Sequence, residues 1–536
     1  MSVDERDHDD GVIPVLVVGA GPVGSTLALE LARHGVRSAV VDRSPTASRH
    51  PKMDFVNGRS MELLRRLGLA EEVRSLGVPA DHPFTFLWAQ DFDRSLPLST
   101  WTYPSVDQLR AQIAGTNDGS QPREPYQRVL GSLLEDLGRR RLRRCELVDL
   151  HEGWAFGSLA QDASGVLAEV TNVGTGRRRR IRARYVVGCD GANSTVRRAA
   201  GIAVDESGPD AWHCDAYFRS TDPTLLRHGP FFLANAAAGL TLVSRDGMHT
   251  WTGTFPCPVN RPFDGDPVPE IRRRLGFELR VDQVIDVGHW QGRLAVAHRY
   301  RAGSVFVAGD AAHQFFPTGG HGANTGIGDA VDLGWKLAAG LNGWGGPQLL
   351  TSYDIERRRV ALFNREMCAN LLEVWRRFPT MAAEGASRAQ LAGYLDRERY
   401  QIDNVGIHFG YRYTGSPVVC AEDGEEPAWE WQRIVPTTWP GARLPSVRLA
   451  DGGEIYDLLG PELTLIDASG SNSGKGLVDE AARLRVPMVR LAVEDDHVRA
   501  VLERNLVLVR PDQHVAWRGD ESPVDCAAVL DRVCGR

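Results

Sequence analysis

Ile13-Pro14-Val15-Leu16-Val17-Val18-Gly19-Ala20-Gly21-Pro22-Val23-Gly24 decides the fold. A short β-branched run that stops in glycines reads as a buried strand, and Pro22 to His34 follows with helical spacing. Ser38 to Val41 is a second strand, so the chain opens as a βαβ unit. In Gly19-x-Gly21-x-x-Gly24 the first glycine allows the tight turn and the second lets backbone approach a pyrophosphate. The third permits close helix–strand packing, and the helix N-terminus offers amides and a positive dipole. Asp42 ends the second strand 18 residues after Gly24, where a carboxylate can accept ribose hydroxyls. The motif alone does not separate one dinucleotide from another.

Outward from this unit, Ser60 to Leu67 reads as a short amphipathic helix and Gln127 to Arg141 as another. Residues 12–80, 126–204 and 300–400 are assigned to a discontinuous dinucleotide domain ending in long helices. Residues 81–125 and 205–299, with alternating, aromatic-rich strands, form an inserted β-rich domain. Pro-rich punctuation makes 401–448 a linker, and 449–536 alternates strand and helix as a small α/β domain. Residues 1–11, acidic and polar, read as a disordered lead-in.

The 536 residues, 42% apolar and 24% charged, suit a soluble multidomain protein. No run reaches the ~20 apolar residues a membrane span needs. A net charge of −7 argues against a nucleic-acid partner, and the eight scattered cysteines, with no zinc spacing, suit a reducing cytoplasm and no metal. Lysine is confined to Lys52, Lys336 and Lys475, which with abundant Gly and Ala suggests a GC-rich bacterium.

Two further motifs lie at strand ends. Gly188-Cys189-Asp190-Gly191-Ala192-Asn193-Ser194-Thr195-Val196-Arg197 is the first, and taken alone it reads equally as a capped turn before a helix. The second runs from Val305 through Gly309-Asp310 to Pro317-Thr318-Gly319-Gly320-His321-Gly322-Ala323-Asn324. Its glycines suit a backbone pressed against a flat or anionic ligand.

The three motifs in this order resemble the group A flavoprotein monooxygenases, the family of para-hydroxybenzoate and phenol hydroxylases. The likeness spans Val12 to Arg358, including Tyr353-Asp354-Ile355-Glu356-Arg357-Arg358. Residues 449–536 resemble the thioredoxin-like domain of phenol hydroxylase and polyketide-tailoring hydroxylases, without its Cys pair, leaving packing or homodimerisation as its work. Because every flavin motif precedes Leu449, removing this domain is expected to spare flavin binding. The resemblance implies non-covalent FAD and NADPH or NADH. It implies an O₂-derived flavin C4a-hydroperoxide that hydroxylates an aromatic small molecule, as in secondary metabolism.

The resemblance gives Gly19, Gly21 and Gly24 the FAD pyrophosphate and Asp42 the adenosine ribose, with Arg43 and Arg49 near the adenosine or phosphates. Asp190 and Gly191 serve FAD and NADPH, and Asp310 the ribityl–pyrophosphate stretch. Gly319, Gly320, Gly322, Ala323 and Asn324 face the isoalloxazine, with Pro317 where oxygen reacts. Three residues depart from the family pattern. Gly131 stands where a flavin-side Gln is frequent, leaving Gln127 or Arg128 to replace it; Ala323 stands for a frequent Met and Arg359 for a frequent Pro.

A base near the substrate hydroxyl helps, because a phenolate is the better nucleophile. Asp54, in a segment resembling the active-site stretch of phenol hydroxylase, is the candidate; the alternative is that it caps the turn before Ser60. Pocket walls are expected where the two larger domains meet, from Trp88, Tyr217, Phe231, Phe232, Trp251 and Phe255. The Arg177–Arg184 cluster reads as a solvated strand edge. Gly470 to Gly476 lacks a P-loop's spacing. Baeyer–Villiger or ring-opening oxygenation on the same fold, and a non-enzymatic flavin protein, are the rival readings.

Overall fold

The computed structural model describes residues 11–50, 52–92, 96–257 and 261–536. The expected lead-in, apart from Gly11, lies outside the described residues. The architecture is mixed α/β, built on three sheets.

Ile13–Val18 lies inside the first sheet, parallel to Ser38–Asp42 on one side and Arg178–Gly188 on the other. Val15, Leu16 and Val17 are fully buried, as a strand covered on both faces requires. Val305–Val307 adds to Arg178–Gly188 and Val148–Glu152 to Ser38–Asp42, both parallel. The helix Pro22–Arg33 starts with Pro at its first turn and packs with the helix His321–Leu341 over this sheet. The carboxyl ends of the parallel strands thus gather the three glycine motifs at one edge.

The second sheet is mostly antiparallel. It runs Gln283–Ala297, Val204–Arg219, Thr250–Pro256, Leu240–Ser244, Leu233–Ala236, Phe84–Ala89, Ser99–Tyr103. The aromatic excursion after residue 81 therefore supplies its last two strands. One face buries Cys214, Ala216, Phe218, Trp251 and Phe255 beneath the helix Pro267–Leu275. Strand alternation sends Asp215, Tyr217 and Thr252 to the other face, toward the first domain.

The third sheet, Met488–Ala492, Leu463–Asp467, Leu506–Val509, Val515–Gly519, carries the helices Lys475–Arg483 and Cys526–Cys534. It shares one core with the first domain: Trp335, Trp344 and Leu349 pack with Leu465, Leu477, Leu530 and Val533. A buried ion cluster lies beside that core. Arg510 reaches Glu356 at 2.7 and 2.8 Å, Asp332 at 3.0 Å and Asp512 at 2.6 Å, while Lys336 reaches Asp332 at 2.9 Å and Glu356 at 2.5 Å. Lys336 and Arg510 supply the cations among these three carboxylates. Burial pushes the Asp332 carboxyl well above the usual carboxylate range.

The stretch expected as a linker is packed. Val405–Phe409 is a helix, and Val418, Thr438, Leu444 and Val447 are buried between the domains. Arg443 clasps Glu62 at 2.9 Å, and Arg59 donates to the Asp512 carbonyl at 2.7 Å. Among the described residues, no helix is long and apolar enough to cross a membrane.

Candidate active site

At the nucleotide end, Gly24 must be glycine: a Cβ there would lie 1.9 Å from the Gly19 carbonyl oxygen. A Cβ on Gly21 would meet nothing within 4 Å, so the space above this turn is open, as a cradle for a phosphate should be. Asp42 accepts from Ala20 N at 2.7 Å and from Ser44 N at 2.7 Å, with Arg139 3.3 Å away. The carboxylate thereby fixes the turn and keeps one edge toward the cleft. Arg43 and Arg49 are exposed at the rim.

Asp190 receives the Ser194 hydroxyl, Thr195 N at 2.7 Å and Val196 N at 3.1 Å. Its carboxylate caps the short helix Thr195–Ala199, the capped-turn reading of that motif; beside it Gly191 takes a left-handed φ of 79°. Asp310 differs. Its side chain is exposed at the floor of the cleft, yet the protein around it raises its pKa, against the pull of His313 and Lys52. A carboxylate so placed suits the hydroxyl-rich part of a nucleotide.

The turn that presents Asp310 is braced from behind. Asp329 accepts from Gly309 N at 3.0 Å, His313 Nε2 at 2.8 Å and Arg357 Nε at 2.8 Å. Tyr353 donates to the Val307 carbonyl at 2.7 Å, and Arg358 to that of Ala297 at 2.9 Å. The stretch Tyr353 to Arg358 therefore acts as scaffold behind the cleft.

Pro317 is exposed ahead of the turn Thr318–Gly320, where Gly319 and Gly320 take left-handed φ values of 77° and 66°. Gly322 and Ala323 are partly open to the cleft. Asn324 ties this loop to the first domain: its amide donates to Phe55 O at 3.0 Å and Gly320 O at 2.7 Å, and its oxygen accepts from Asn57 N at 2.9 Å. That side chain is fully engaged with backbone. His321, buried beside His408 with ring centroids 5.4 Å apart, is held neutral by burial, its pKa pulled down to about 4.

Gly131 has a packing reason. A Cβ there would lie 2.7 Å from Met53 Cγ, and Gly131 N donates to Met53 O at 2.7 Å, so the segment bearing Asp54 runs against it. Gln127 does not take over a flavin-side contact: its amide donates to Val78 O and Arg128 O, both at 3.0 Å, inside the fold. Arg128 points to the second sheet, its guanidinium donating to Ser244 O and lying 4.5 Å from the Phe232 ring centroid.

Asp54 stands at that same junction. Its Oδ2 is 3.1 Å from Arg245 Nη1, an ion pair outside hydrogen-bond geometry, and accepts no hydrogen bond. Arg245 is fixed by Thr252 Oγ1 at 2.9 Å. Half-buried Phe55, Phe84 and Tyr126 close around it with Phe232: Phe84 lies 5.5, 4.8 and 5.0 Å from Phe55, Tyr126 and Phe232, centroid to centroid. These rings pack on one another as an apolar cluster at the junction of the two domains.

Of the expected wall, Tyr217 and Phe232 face this cleft. The structure does not bring the others there. Phe231, Trp251 and Phe255 lie on the opposite sheet face under the helix Pro267–Leu275. Trp88 is on the cleft face but sealed at its far end by Trp101, Trp375 and Phe378, at 4.7, 4.9 and 5.2 Å. Sequence reasoning missed Phe55, Phe84, Tyr126 and Arg245. The signal available for Phe55 was its place next to Asp54.

Residues 12–364 match the family described as FAD binding domain, and residues 437–536 that described as aromatic-ring hydroxylase, C-terminal. A FAD-dependent monooxygenase of Emericella nidulans is 34% identical over 545 residues, covering 94% of this chain and 87% of that protein. The tetracenomycin B2 monooxygenase-dioxygenase of Streptomyces olivaceus is 32% identical over 568 residues, covering 98% of each. The crystal structure of the flavin-dependent monooxygenase PieE in complex with FAD and substrate superposes with a TM-score of 0.87 at 28% identity, covering 98% of this chain and 99% of that one.

Proposed function

The chain belongs to the FAD-binding family of aromatic-ring hydroxylases, and from that premise we propose that it hydroxylates a phenolic or polyketide-type aromatic molecule, with NADPH or NADH as reductant and O₂ as oxidant. The observation that carries this reading is a juxtaposition in one chain: an open phosphate-sized turn at Gly21, and an aromatic cluster around Phe84 beside the Asp54–Arg245 pair. The eight cysteines are all free, which supports a reducing, cytoplasmic setting.

Bound FAD supplies electron transfer from the nicotinamide and activation of oxygen. The chain's own residues do the rest. Gly19, Gly21 and Gly24 would admit the pyrophosphate, Asp42 and Asp310 would receive sugar and ribityl hydroxyls, and the Pro317–Ala323 loop would serve the ring system. Phe55, Phe84, Tyr126 and Phe232 orient the substrate ring and exclude water. The Asp54 carboxylate accepts the proton of a phenolic hydroxyl, and Arg245, 3.1 Å from its Oδ2, keeps that carboxylate in place. Removing this proton raises the electron density of the ring carbon to be oxygenated, the step general-base catalysis speeds by about 10²–10⁴-fold.

The test is NAD(P)H oxidation screened against phenols, with ¹⁸O₂ and product mass spectrometry. A phenol should accelerate oxidation and gain one ¹⁸O as a hydroxyl. Asp54→Asn should keep its FAD while the ratio of product to NADPH consumed falls. A lactone product, or unchanged coupling in the Asn variant, refutes the respective assignment.

A further inference from the structure

One buried residue of the C-terminal domain holds a backbone conformation that its type disfavours. Gln513 has a left-handed φ of 67° and is 3% exposed. The other non-glycine residues with positive φ among the described residues, Asn472, Arg485 and Glu503, are all exposed. A tight turn accepts glycine or asparagine at such a position at little cost, whereas a longer side chain is strained there. Strain of this kind persists only where the surroundings over-determine the residue.

The turn Arg510–His514 joins the strands Leu506–Val509 and Val515–Gly519, and its backbone closes without the Gln513 side chain. Arg510 N donates to the His514 carbonyl at 2.8 Å and Gln513 N to the Arg510 carbonyl at 2.9 Å. The side chain instead leaves its own domain. Its Oε1 accepts from Arg59 Nη1 at 2.5 Å, next to the Asp512 carbonyl that accepts from Arg59 Nη2 at 2.7 Å. Glu62 holds the same guanidinium from within its helix at 3.0 Å.

Arg59 lies in the first turn of the helix Gly58–Arg66, whose N-cap is Asn57. Asn57 N donates to Asn324 Oδ1 at 2.9 Å, and the Asn324 amide donates to the carbonyls of Phe55 at 3.0 Å and Gly320 at 2.7 Å. Direct bonds thus lead from the C-terminal turn, through the start of one helix, to the neighbour of Asp54 and to the loop after Pro317. A grip on Arg59 from outside fixes how that first turn is seated.

We propose that Gln513 is a positioning residue for the substrate site. By holding Arg59 it sets the first turn of Gly58–Arg66, and with it the placing of Phe55 and Asn324. The C-terminal domain therefore completes the site as well as covering the core beneath Trp335. This goes beyond the hydroxylase reading and rests on it for its assay. The strained turn is kept because glycine, which would relax it, has no oxygen to offer Arg59.

The test uses the full-length, FAD-loaded protein with 1-naphthol, or whichever phenol of the oxidation screen the parent turns over fastest, as probe. Gln513→Gly suits the φ of the turn and removes only the grip. It should fold, keep its FAD and keep the parent's KM for NADPH. Its kcat/KM for the phenol should fall by about ten- to a hundredfold, the scale of a small misplacement at a reacting centre, and product per NADPH should fall with it. Gln513→Met, which keeps the volume, should show the same loss. Arg59→Lys keeps the charge facing Glu62, and combined with Gln513→Met it should be no worse than the worse single variant, because groups in one contact are not additive. Unchanged kcat/KM and coupling in either Gln513 variant, a loss that only tracks lost FAD, or additive losses in the cycle overturns the proposal. So does an insoluble Gly variant, which assigns Gln513 to folding alone. A competent parent with unaffected variants refutes this inference alone, whereas a parent that hydroxylates no phenol refutes the underlying function.

Discussion

Arg510→Met strikes the joint between the C-terminal and FAD-binding domains. Arg510 is fully buried and donates to Glu356, Asp332 and Asp512, with Lys336 the other cation at the cluster. Burial pushes the Asp332 carboxyl above its usual range, while Lys336 and Arg510 both donate to it. The Met side chain fills the volume but leaves Lys336 alone among Asp332, Glu356 and Asp512. Breaking a buried pair from one side costs about 3–5 kcal/mol, well above the worth of an exposed bridge. The assay is urea unfolding read by far-UV circular dichroism and by release of flavin fluorescence. The variant should lose about 3–5 kcal/mol, with flavin release at lower urea, and Arg510→Lys should fall between, since it keeps the charge but not the fork. A loss below about 1 kcal/mol would refute the reasoning, because the cluster would then be no better than solvated surface charge.

Truncation after Leu449, harmless if motif position were all that mattered, should yield insoluble or flavin-free protein, because it uncovers Trp335, Leu349, Asp332 and Glu356; recovery of soluble, fully flavinated protein on gel filtration would contradict this. Asp310→Ala should lose most bound FAD, measured as the ratio of flavin to protein absorbance, and full occupancy would remove Asp310 from the cofactor site. Stability should fall at both ends of the pH range. Glu30, paired with Arg66 at 2.7 Å and held from 4.5 down to about 2, contributes about 3 kcal/mol above pH 4.5 that is lost as pH falls toward 2. His34, raised above 6.5 by Glu30 and Glu462, contributes fully below 6.5 and loses that contribution as pH rises through its elevated value. Thermal melts across pH should show His34→Gln flattening the alkaline slope and, because His34 also bonds Glu30, weakening the acid slope in part while Arg66 preserves the rest.

The glycine motifs were legible because each has a steric reason written in local sequence: Gly24 abuts Gly19, and Pro22 opens a helix after a β-branched strand. Residues that lie far apart in the chain could be placed at one strand edge on that basis. The substrate wall was not legible. Alternation in Thr250–Pro256 divides Trp251 from Thr252, but which face a helix covers depends on packing by residues 267–275, and bulk alone favoured Trp251. Trp88 and Phe84 share a face, and only the seal made by Trp375 and Phe378 separates core from wall. Gly131 looked like a missing contact; its cause, Met53, comes from a segment with no local link to it. Arg128 looked like a flavin ligand until its direction was known, and the 401–448 stretch, rich in turn residues, gave no sign that Leu444 and Val447 would be buried.

The position of Arg510 also imposes an order on the molecule's birth. Glu356 leaves the ribosome 154 residues ahead of its guanidinium partner, an interval on the order of ten seconds at ordinary elongation rates. Until then the nascent flavin domain has Lys336 alone to face Asp332 and Glu356, beside the uncovered Trp335 and Leu349. The later-emerging domain is in effect an intramolecular chaperone that becomes part of its client, so a chain stalled before Arg510 exposes the surface by which a protease or holdase recognises unfinished work.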